Sequence, residues 1–463
     1  MRDVFFQASV TSADMKSWLI AVLPRFLRPH WDRLESSPLG YRLAKGTFWS
    51  LMGAVLSRGL ALGSSIVVAR MIGKQAFGEL GIIQTTVGMF GTLAGFGMGL
   101  TATKYVAEMR NKDPNRAGRI IALSSVITWL AGLFMAGVLV VFAPWVAKHS
   151  LAAPQLEGLL RVGSLLLLLG AVNGAQTGAL SGFEAFKQIA QSNLLSGLIA
   201  FPVIVISAWR FGLDGAVCGL VVGQAANAIL NCLALRTEAS RNRVIVDYRA
   251  CCQEFKVLWG FSLPALFSSL VSTPVYWGCT ALLATRPGGY SEMGLFSAAN
   301  QWMAALLFIP ILLGQTILPI LSQKMSDSDA TNSRKILIMS IKLNAAIVVP
   351  LVIVGSLASP IIMGAYGAGF REAWPTLVVV LVTAGVSAMQ NPIGQIIIAS
   401  GRMWLNTAMN VSWAICLALF TLVMVQWGSF GLATARMLAC VILAIWTAGF
   451  AYHSVIRRRI ISV

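Results

Sequence analysis

The stretch IIALSSVITWLAGLFMAGVLVVFA (residues 120–143) decides the fold class, because no charged side chain interrupts it from its first residue to its last. A helix that crosses a membrane needs about 20 apolar residues, whereas a barrel strand alternates apolar and polar positions. We therefore predict a transmembrane helix over residues 118–143. The whole chain is similarly apolar, with 57% hydrophobic and 11% charged residues among 463 and a mean hydropathy of +0.76. Soluble domains carry about 25% charged residues, so this composition excludes an ordinary soluble protein.

Eleven further apolar runs flank this stretch, and their continuity again favours helices over strands. The twelve predicted spans are residues 47–69, 78–103, 118–143, 157–180, 190–209, 214–235, 257–284, 293–318, 336–359, 373–398, 404–426 and 429–452. The sequence thus predicts an all-α polytopic membrane protein.

The basic residues are distributed unequally between the two sides of these spans. With the N-terminus inside, 26 Lys and Arg fall on the inner side and 7 on the outer side. This is the positive-inside pattern, and it predicts that both termini are cytoplasmic. It also explains the net charge of +18 without a nucleic-acid partner. We expect no removable signal peptide in residues 1–45 and predict a basic cytoplasmic segment that contacts membrane lipids.

The two halves of the chain repeat the same short patterns. The pairs are FGELG (77–81) with YSEMG (290–294), GLT (99–101) with GQT (314–316), QTGALSG (176–182) with QIIIASG (395–401), and FGLDG (211–215) with WGSFG (427–431). The spacing between the two members is nearly the same in all four pairs, which favours a duplication. Each half has six spans, so both halves have the same orientation, and such parallel repeats enclose a central cavity in transporters. We predict an N-lobe (46–236), a linker (237–256), a C-lobe (257–453) and a basic cytoplasmic tail (454–463).

Three segments carry a family resemblance: KGTFWSLMGAVLSRGLALGSSIVVARMIGKQAFGELGIIQ (45–84), GFSLPALFSSLVSTPVYWG (260–278) and YSEMGLFSAANQW (290–302). They resemble the polysaccharide-transporter family, the O-antigen and exopolysaccharide flippases of the multidrug/oligosaccharidyl-lipid/polysaccharide exporter superfamily. The resemblance implies two six-helix lobes that work by alternating access in the bacterial inner membrane. It also implies a sugar repeat unit on undecaprenyl diphosphate as substrate, and a polysaccharide polymerase with its chain-length machinery as partners.

Arg58 is the first candidate for a substrate-binding residue. It lies near the middle of span 1, where a charge is most costly, and no acidic residue lies near it in sequence. A guanidinium group also matches the geometry of phosphate oxygens. The alternative interpretations are a guanidinium held by backbone carbonyls and a contact that bridges the two lobes.

Other side chains in the spans are weaker candidates for the same site. Arg436 could line the cavity, and Arg161 and Lys342 near span ends could contact substrate or extend to the membrane surface. Amides can hydrogen-bond sugar hydroxyls or join helices. The amide candidates are Asn173, Gln176, Asn391 and Gln395. Pro264 and Pro274 are predicted to bend span 7 and act as hinges.

Several features separate the competing functions. The predicted spans contain no Asp or Glu at mid-membrane, which disfavours an antiporter that couples to protons or sodium. A multidrug or metabolite antiporter of the same superfamily remains the alternative function. The predicted outer loops are short and lack paired carboxylates and His clusters, so we do not expect an enzyme. Scattered cysteines and three distant histidines predict no metal site, and no cofactor is expected.

Overall fold

A computed structural model describes residues 38–95, 97–255, 271–326, 330–399 and 403–451, and these residues contain no β-strand. The helices of the N-terminal half are α1 (Pro38–Ala94), α2 (Met98–Met109), α3 (Pro114–Trp145), α4 (Glu157–Gly182) and α5 (Phe186–Arg241). A π-helical turn (Val146–Ser150) and a 3-10 turn (Pro154–Leu156) join α3 to α4, and another 3-10 turn (Cys251–Glu254) follows α5.

The C-terminal half continues the all-helical fold. Its helices are α6 (Ser272–Ala284), α7 (Gly289–Ser326), α8 (Ala330–Leu357), α9 (Ser359–Ala365), α10 (Trp374–Ala399), α11 (Met403–Met424) and α12 (Gly428–Ala451). Short 3-10 turns cover Ala368–Ala373 and Val425–Trp427. Seven stretches of the described chain are long and apolar enough to cross a membrane, and some of them contain more than one predicted span.

Glycines with positive φ agree with the predicted repeat. Gly73 (φ 78°) breaks α1 into two segments, and Gly212 (φ 59°) does the same in α5. Gly288 (φ 70°) and Gly428 (φ 63°) lie at the equivalent joints of the C-terminal half, at the spacing of the repeated sequence patterns. Glycine adopts this conformation without strain, so each position allows the chain to turn between consecutive spans. We call the end of the bundle that holds these four residues the Gly73 end.

Span 2 differs from the prediction. The sequence predicts one helix over residues 78–103, but α1 ends at Ala94 and α2 begins at Met98. Gly97 between them has a φ of 65°, which interrupts the helical hydrogen bonds. Glycines occur at ordinary helical positions in membrane helices, so composition alone does not reveal this break.

Packing of α1 fixes where the two halves meet. It contacts α5 within its own half and α7 in the other half, and one hydrophobic core runs through both halves. Glu292 of α7 adds a contact within the C-terminal half, because its carboxylate accepts a 2.7 Å hydrogen bond from the backbone N–H of Ser429 and so caps α12. The space between α1, α5 and α7 is therefore a cleft at the boundary of the halves.

Candidate functional site

A cavity of about 450 Å³ lies in this cleft, within the usual size range of ligand pockets. Both segments of α1 and of α5 line it from one side, and α7 lines it from the other. Arg58 is the single charged residue among the described residues that form its wall. Its longer polar neighbours in the wall are Gln84, Gln224, Asn227 and Gln301.

Arg58 both lines the cavity and bridges the halves. Its Nη1 donates a 2.7 Å hydrogen bond to the carbonyl oxygen of Ala304, and its Cζ lies 4.4 Å from the ring centroid of Phe308. The side chain is half-buried, and both partners are neutral. Arg58 is thus both held by a backbone carbonyl and in contact with the other half, which are the two alternative interpretations that the sequence left open. The guanidinium group lies beside an open space in the interior of the helical bundle.

The Gly73 end of the cleft is closed by backbone contact. Gly78 of α1 has no room for a Cβ, because one would overlap the carbonyl oxygen of Tyr290. A Cβ on Gly294 of α7 would overlap the carbonyl oxygen of Lys74 in the same way. Tyr290 also donates a 2.7 Å hydrogen bond through its hydroxyl to the carbonyl oxygen of Leu151 in the N-terminal half. Close helix approach at small residues therefore seals this end.

Aromatic side chains extend the same closure. Phe77 makes edge contacts with Tyr366 and Phe370, with ring centroids 6.2 and 6.0 Å apart. The Tyr366 hydroxyl accepts a 3.2 Å hydrogen bond from Trp302 Nε1, and burial raises the pKa of Tyr366 to about 12. Arg70 donates a hydrogen bond to the carbonyl oxygen of Ala365. The contacts of Phe77 and Arg70 join α1 to the end of α9 and the 3-10 turn that follows it.

Arg436 lies in the C-terminal half and is not among the residues that line the cavity. Its Nη1 donates a 2.7 Å hydrogen bond to Asn300 Oδ1, and its Cζ lies 5.0 Å from the ring centroid of Tyr276. Its Nε is buried and has no hydrogen-bond partner.

Asn173 belongs to a chain of hydrogen-bonded amides beside the cavity. Its Nδ2 donates a 3.2 Å hydrogen bond to the carbonyl oxygen of Gln224, and Asn231 Nδ2 lies 3.4 Å from its Oδ1. Asn231 in turn donates to Asn227 at 2.7 Å, and Asn227 donates to Asn193 at 3.1 Å. Asn173 therefore joins α4 to α5, and Asn227 is the member that reaches the cavity wall.

The structure places the other predicted side chains away from the cavity wall. Gln176 Oε1 and Asn391 Oδ1 are buried without a hydrogen-bond partner. Arg161 is exposed and forms an ion pair of 2.7 Å with Glu157 one turn away. Lys342 is exposed on α8. Binding roles for these four residues stay predictions.

The remaining predicted residues concern the hinge and span 10. Pro274 lies in the first turn of α6, where proline is compatible with a helix start. Pro264 and the side chain of Gln395 lie outside the described residues. The proposed hinge of span 7 therefore stays a prediction.

Sequence reasoning missed four polar side chains of the cavity wall, namely Gln84, Gln224, Asn227 and Gln301. A signal for two of them exists in span 6. Gln224, Asn227 and Asn231 recur at spacings of three and four positions, which place them on one helical face. Three amides on one face of an otherwise apolar span indicate a polar environment there.

These features define a class of protein: a polytopic helical transporter whose two pseudo-symmetric halves enclose a cavity at their boundary. Within that class, the chain belongs to the polysaccharide biosynthesis protein family, which matches residues 43–325. A relative from Ralstonia solanacearum, the EPS I polysaccharide export inner membrane protein EpsE, is 24% identical over 91% of this chain and 94% of its own. The protein is thus a membrane transporter of polysaccharide biosynthesis and not an enzyme.

Solved structures share the fold. The lipid II flippase MurJ in an inward closed conformation has a TM-score of 0.67 at 12% identity, covering 87% of both chains. A multidrug resistance transporter of the MATE family in an outward-facing conformation has a TM-score of 0.68 at 14% identity, covering 89% of this chain and 95% of its own. Since both fit equally well, the fold alone does not separate a flippase from a drug transporter.

Proposed function

We propose that this protein flips an undecaprenyl-diphosphate-linked oligosaccharide repeat unit across the bacterial inner membrane for O-antigen or exopolysaccharide synthesis. The Ralstonia relative is named as a polysaccharide export protein, which supports a polysaccharide precursor as the substrate class. The fold shared with a lipid II flippase supports a carrier that moves a lipid-linked headgroup. Both termini are cytoplasmic in this proposal, so the Gly73 end faces the periplasm.

The observation that carries the proposal is Arg58 in the cavity wall. A charge in the membrane interior is costly and needs compensation. Its present partners, a carbonyl oxygen and an aromatic ring, are neutral. Phosphate oxygens form stronger, charge-assisted and often bidentate bonds with a guanidinium group. An anionic headgroup in the cavity would therefore be stabilised by Arg58, whereas a cationic drug would be repelled.

The polar wall of the cavity suits the sugar part of the headgroup. Gln84, Gln224, Asn227 and Gln301 present amides that can donate to and accept from hydroxyl groups. Asn173 contributes indirectly, since it holds the backbone at Gln224. The polyprenyl chain remains in lipid, because only the headgroup is too polar to cross unaided.

The described contacts between the halves suggest the state of the transport cycle. They concentrate at the Gly73 end, in the contacts of Gly78, Phe77 and Arg70 with the other half. With that end at the periplasm, the structure corresponds to a carrier closed on the periplasmic side. Alternating access then requires these contacts to separate while the opposite ends of the helices approach.

The test is complementation of a strain that lacks its own flippase for the same repeat unit. We expect Arg58→Ala to abolish surface polysaccharide and Arg58→Lys to retain part of it, because charge persists without the bidentate geometry. Arg210→Ala is the matched control, since it removes an exposed arginine outside the cavity wall. Normal polysaccharide from a membrane-inserted Arg58→Ala protein would contradict the proposal. Drug-dependent proton flux in proteoliposomes would favour the antiporter instead.

A further inference from the structure

Arg436 is a second guanidinium group with neutral partners inside the helical bundle. Its hydrogen bond goes to the amide oxygen of Asn300, and its face lies against the ring of Tyr276. Its Nε is buried and unpaired. An arginine in the membrane interior usually pairs with an acid or serves a ligand. Neither of the partners seen here neutralises the charge.

Both intramembrane arginines contact one face of α7. Arg436 contacts Asn300, and Arg58 contacts Ala304 and Phe308. Residues spaced by four lie one above the other on a helix, and four residues rise about 6 Å. α7 therefore contacts two cations at successive levels, one held by α12 and the other by α1.

The two arginines lie at different depths from the Gly73 end. Arg436 follows Gly428 by about two helical turns, whereas Arg58 precedes Gly73 by about four turns. At 1.5 Å per residue these depths are about 12 and 22 Å along the helices. Arg58 is in the cavity wall, and Arg436 is nearer the closed end. Along α7, the contact with Arg436 at Asn300 thus lies one turn nearer the Gly73 end than the contact with Arg58 at Ala304.

We propose that Arg436 is a second binding station for the phosphate groups of the headgroup, occupied after Arg58 when the Gly73 end opens. This inference rests on the proposed function. Asn300 is a positioning residue that holds the guanidinium group of the empty station through a neutral acceptor. Phosphate oxygens displace that acceptor because their bonds to a guanidinium group are charge-assisted. Two successive cations give an anion a path across the low-dielectric region.

Two substitutions at one position separate this role from a structural one. Asn300→Asp places a carboxylate 2.7 Å from the guanidinium group, and the resulting ion pair resists displacement by phosphate. Asn300→Leu removes the acceptor at similar volume and leaves Arg436 available. In proteoliposomes, we expect Asn300→Asp to lower the maximum flipping rate about tenfold or more. Asn300→Leu should lower the rate less than Asn300→Asp, since it introduces no carboxylate that competes with phosphate for Arg436.

A binding measurement distinguishes the second station from the first. The probe is undecaprenyl diphosphate, titrated into the purified full-length protein in nanodiscs. Arg58→Ala should weaken this binding, whereas Asn300→Asp and Arg436→Ala should bind normally but flip slowly. Arg436→Lys should recover part of the rate, which also decides the matter if Asn300→Asp fails to insert.

Two outcomes would overturn the proposal that Arg436 is a second binding station. One is wild-type flipping by Arg436→Ala. The other is an equal loss in Asn300→Leu and Asn300→Asp with normal thermal stability, which would make Asn300 a packing residue. Either result with Arg58→Ala still defective leaves the proposed function intact. Normal binding and flipping by Arg58→Ala would instead contradict the proposed function itself.

Discussion

Gly78→Ala tests whether the Gly73 end is a gate that closes by backbone contact. A Cβ at this position would overlap the carbonyl oxygen of Tyr290, which cannot turn away as a flexible side chain can. The two helices must therefore separate by about 1.5–2 Å before the contact becomes an ordinary one. Overpacking of this kind costs about 1–3 kcal/mol, which corresponds to a shift of about 5- to 150-fold in the ratio of closed to open molecules.

Electron-paramagnetic-resonance distances would measure that shift. Spin labels at Lys148 and Arg286 report on the two halves at the Gly73 end, where both positions are exposed. The exposed Cys218 and Cys252 are first replaced by serine. We expect the wild type to show mainly the short distance, and Gly78→Ala to add a longer component that dominates the distribution.

Gly91→Ala is the control in the same helix. A Cβ there meets no atom within 4 Å, so this variant gains helix propensity without a clash. Its distance distribution should match the wild type. If Gly78→Ala also matches the wild type, the glycine contact does not govern the closure, and the reasoning about the gate is wrong.

Three further predictions concern parts of the molecule away from the cavity. Glu254→Gln should lower the free energy of unfolding by about 1–3 kcal/mol, because the buried carboxylate forms ion pairs with Arg116 and Arg119 of α3 at 3.1 and 3.2 Å. An unchanged thermal melt would mean that these ion pairs contribute nothing to stability. Gly212→Ala should lower the free energy of unfolding by about 1–3 kcal/mol, because alanine is strained at a positive φ. Gly428→Ala should lower it further, because a Cβ there also meets the carboxylate that caps α12. Equal losses of stability in thermal melts of the two variants would contradict this. Burial raises the pKa of the Cys251 thiol, so maleimide at pH 8 should modify the exposed Cys252 well before Cys251. Mass spectrometry of the labelled protein would measure the two rates. Similar rates would contradict the buried position of Cys251.

The helices could largely be predicted from the sequence because apolar runs and glycine joints are local signals. α4 begins at Glu157 as predicted, and α10 lies within one residue of the prediction at each end. The joint predicted between spans 5 and 6 coincides with Gly212. The break at Gly97 was not predictable, because its glycine differs from its neighbours in conformation and not in composition.

The cavity was less accessible to prediction, because it depends on pairs of residues far apart in the chain. The position of Arg58 inside an apolar run marks it as a candidate, but nothing local pairs it with Ala304, 246 residues away. The same holds for Arg436 and Asn300, which are 136 residues apart. Arg161 illustrates the opposite case, since its acidic partner one helical turn earlier is visible in the sequence.

The central claim is that Arg58 binds the phosphate groups of a lipid-linked substrate in the cavity. Photo-crosslinking tests it most directly, with a photoreactive amino acid in place of Ala304 and a radiolabelled undecaprenyl-diphosphate-linked oligosaccharide in membranes. We predict strong crosslinking at Ala304, about tenfold weaker crosslinking there when Arg58 is replaced by alanine, and none at the exposed Trp129 of α3. Crosslinking at Ala304 that is unchanged by Arg58→Ala, or no stronger than at Trp129, would contradict the account.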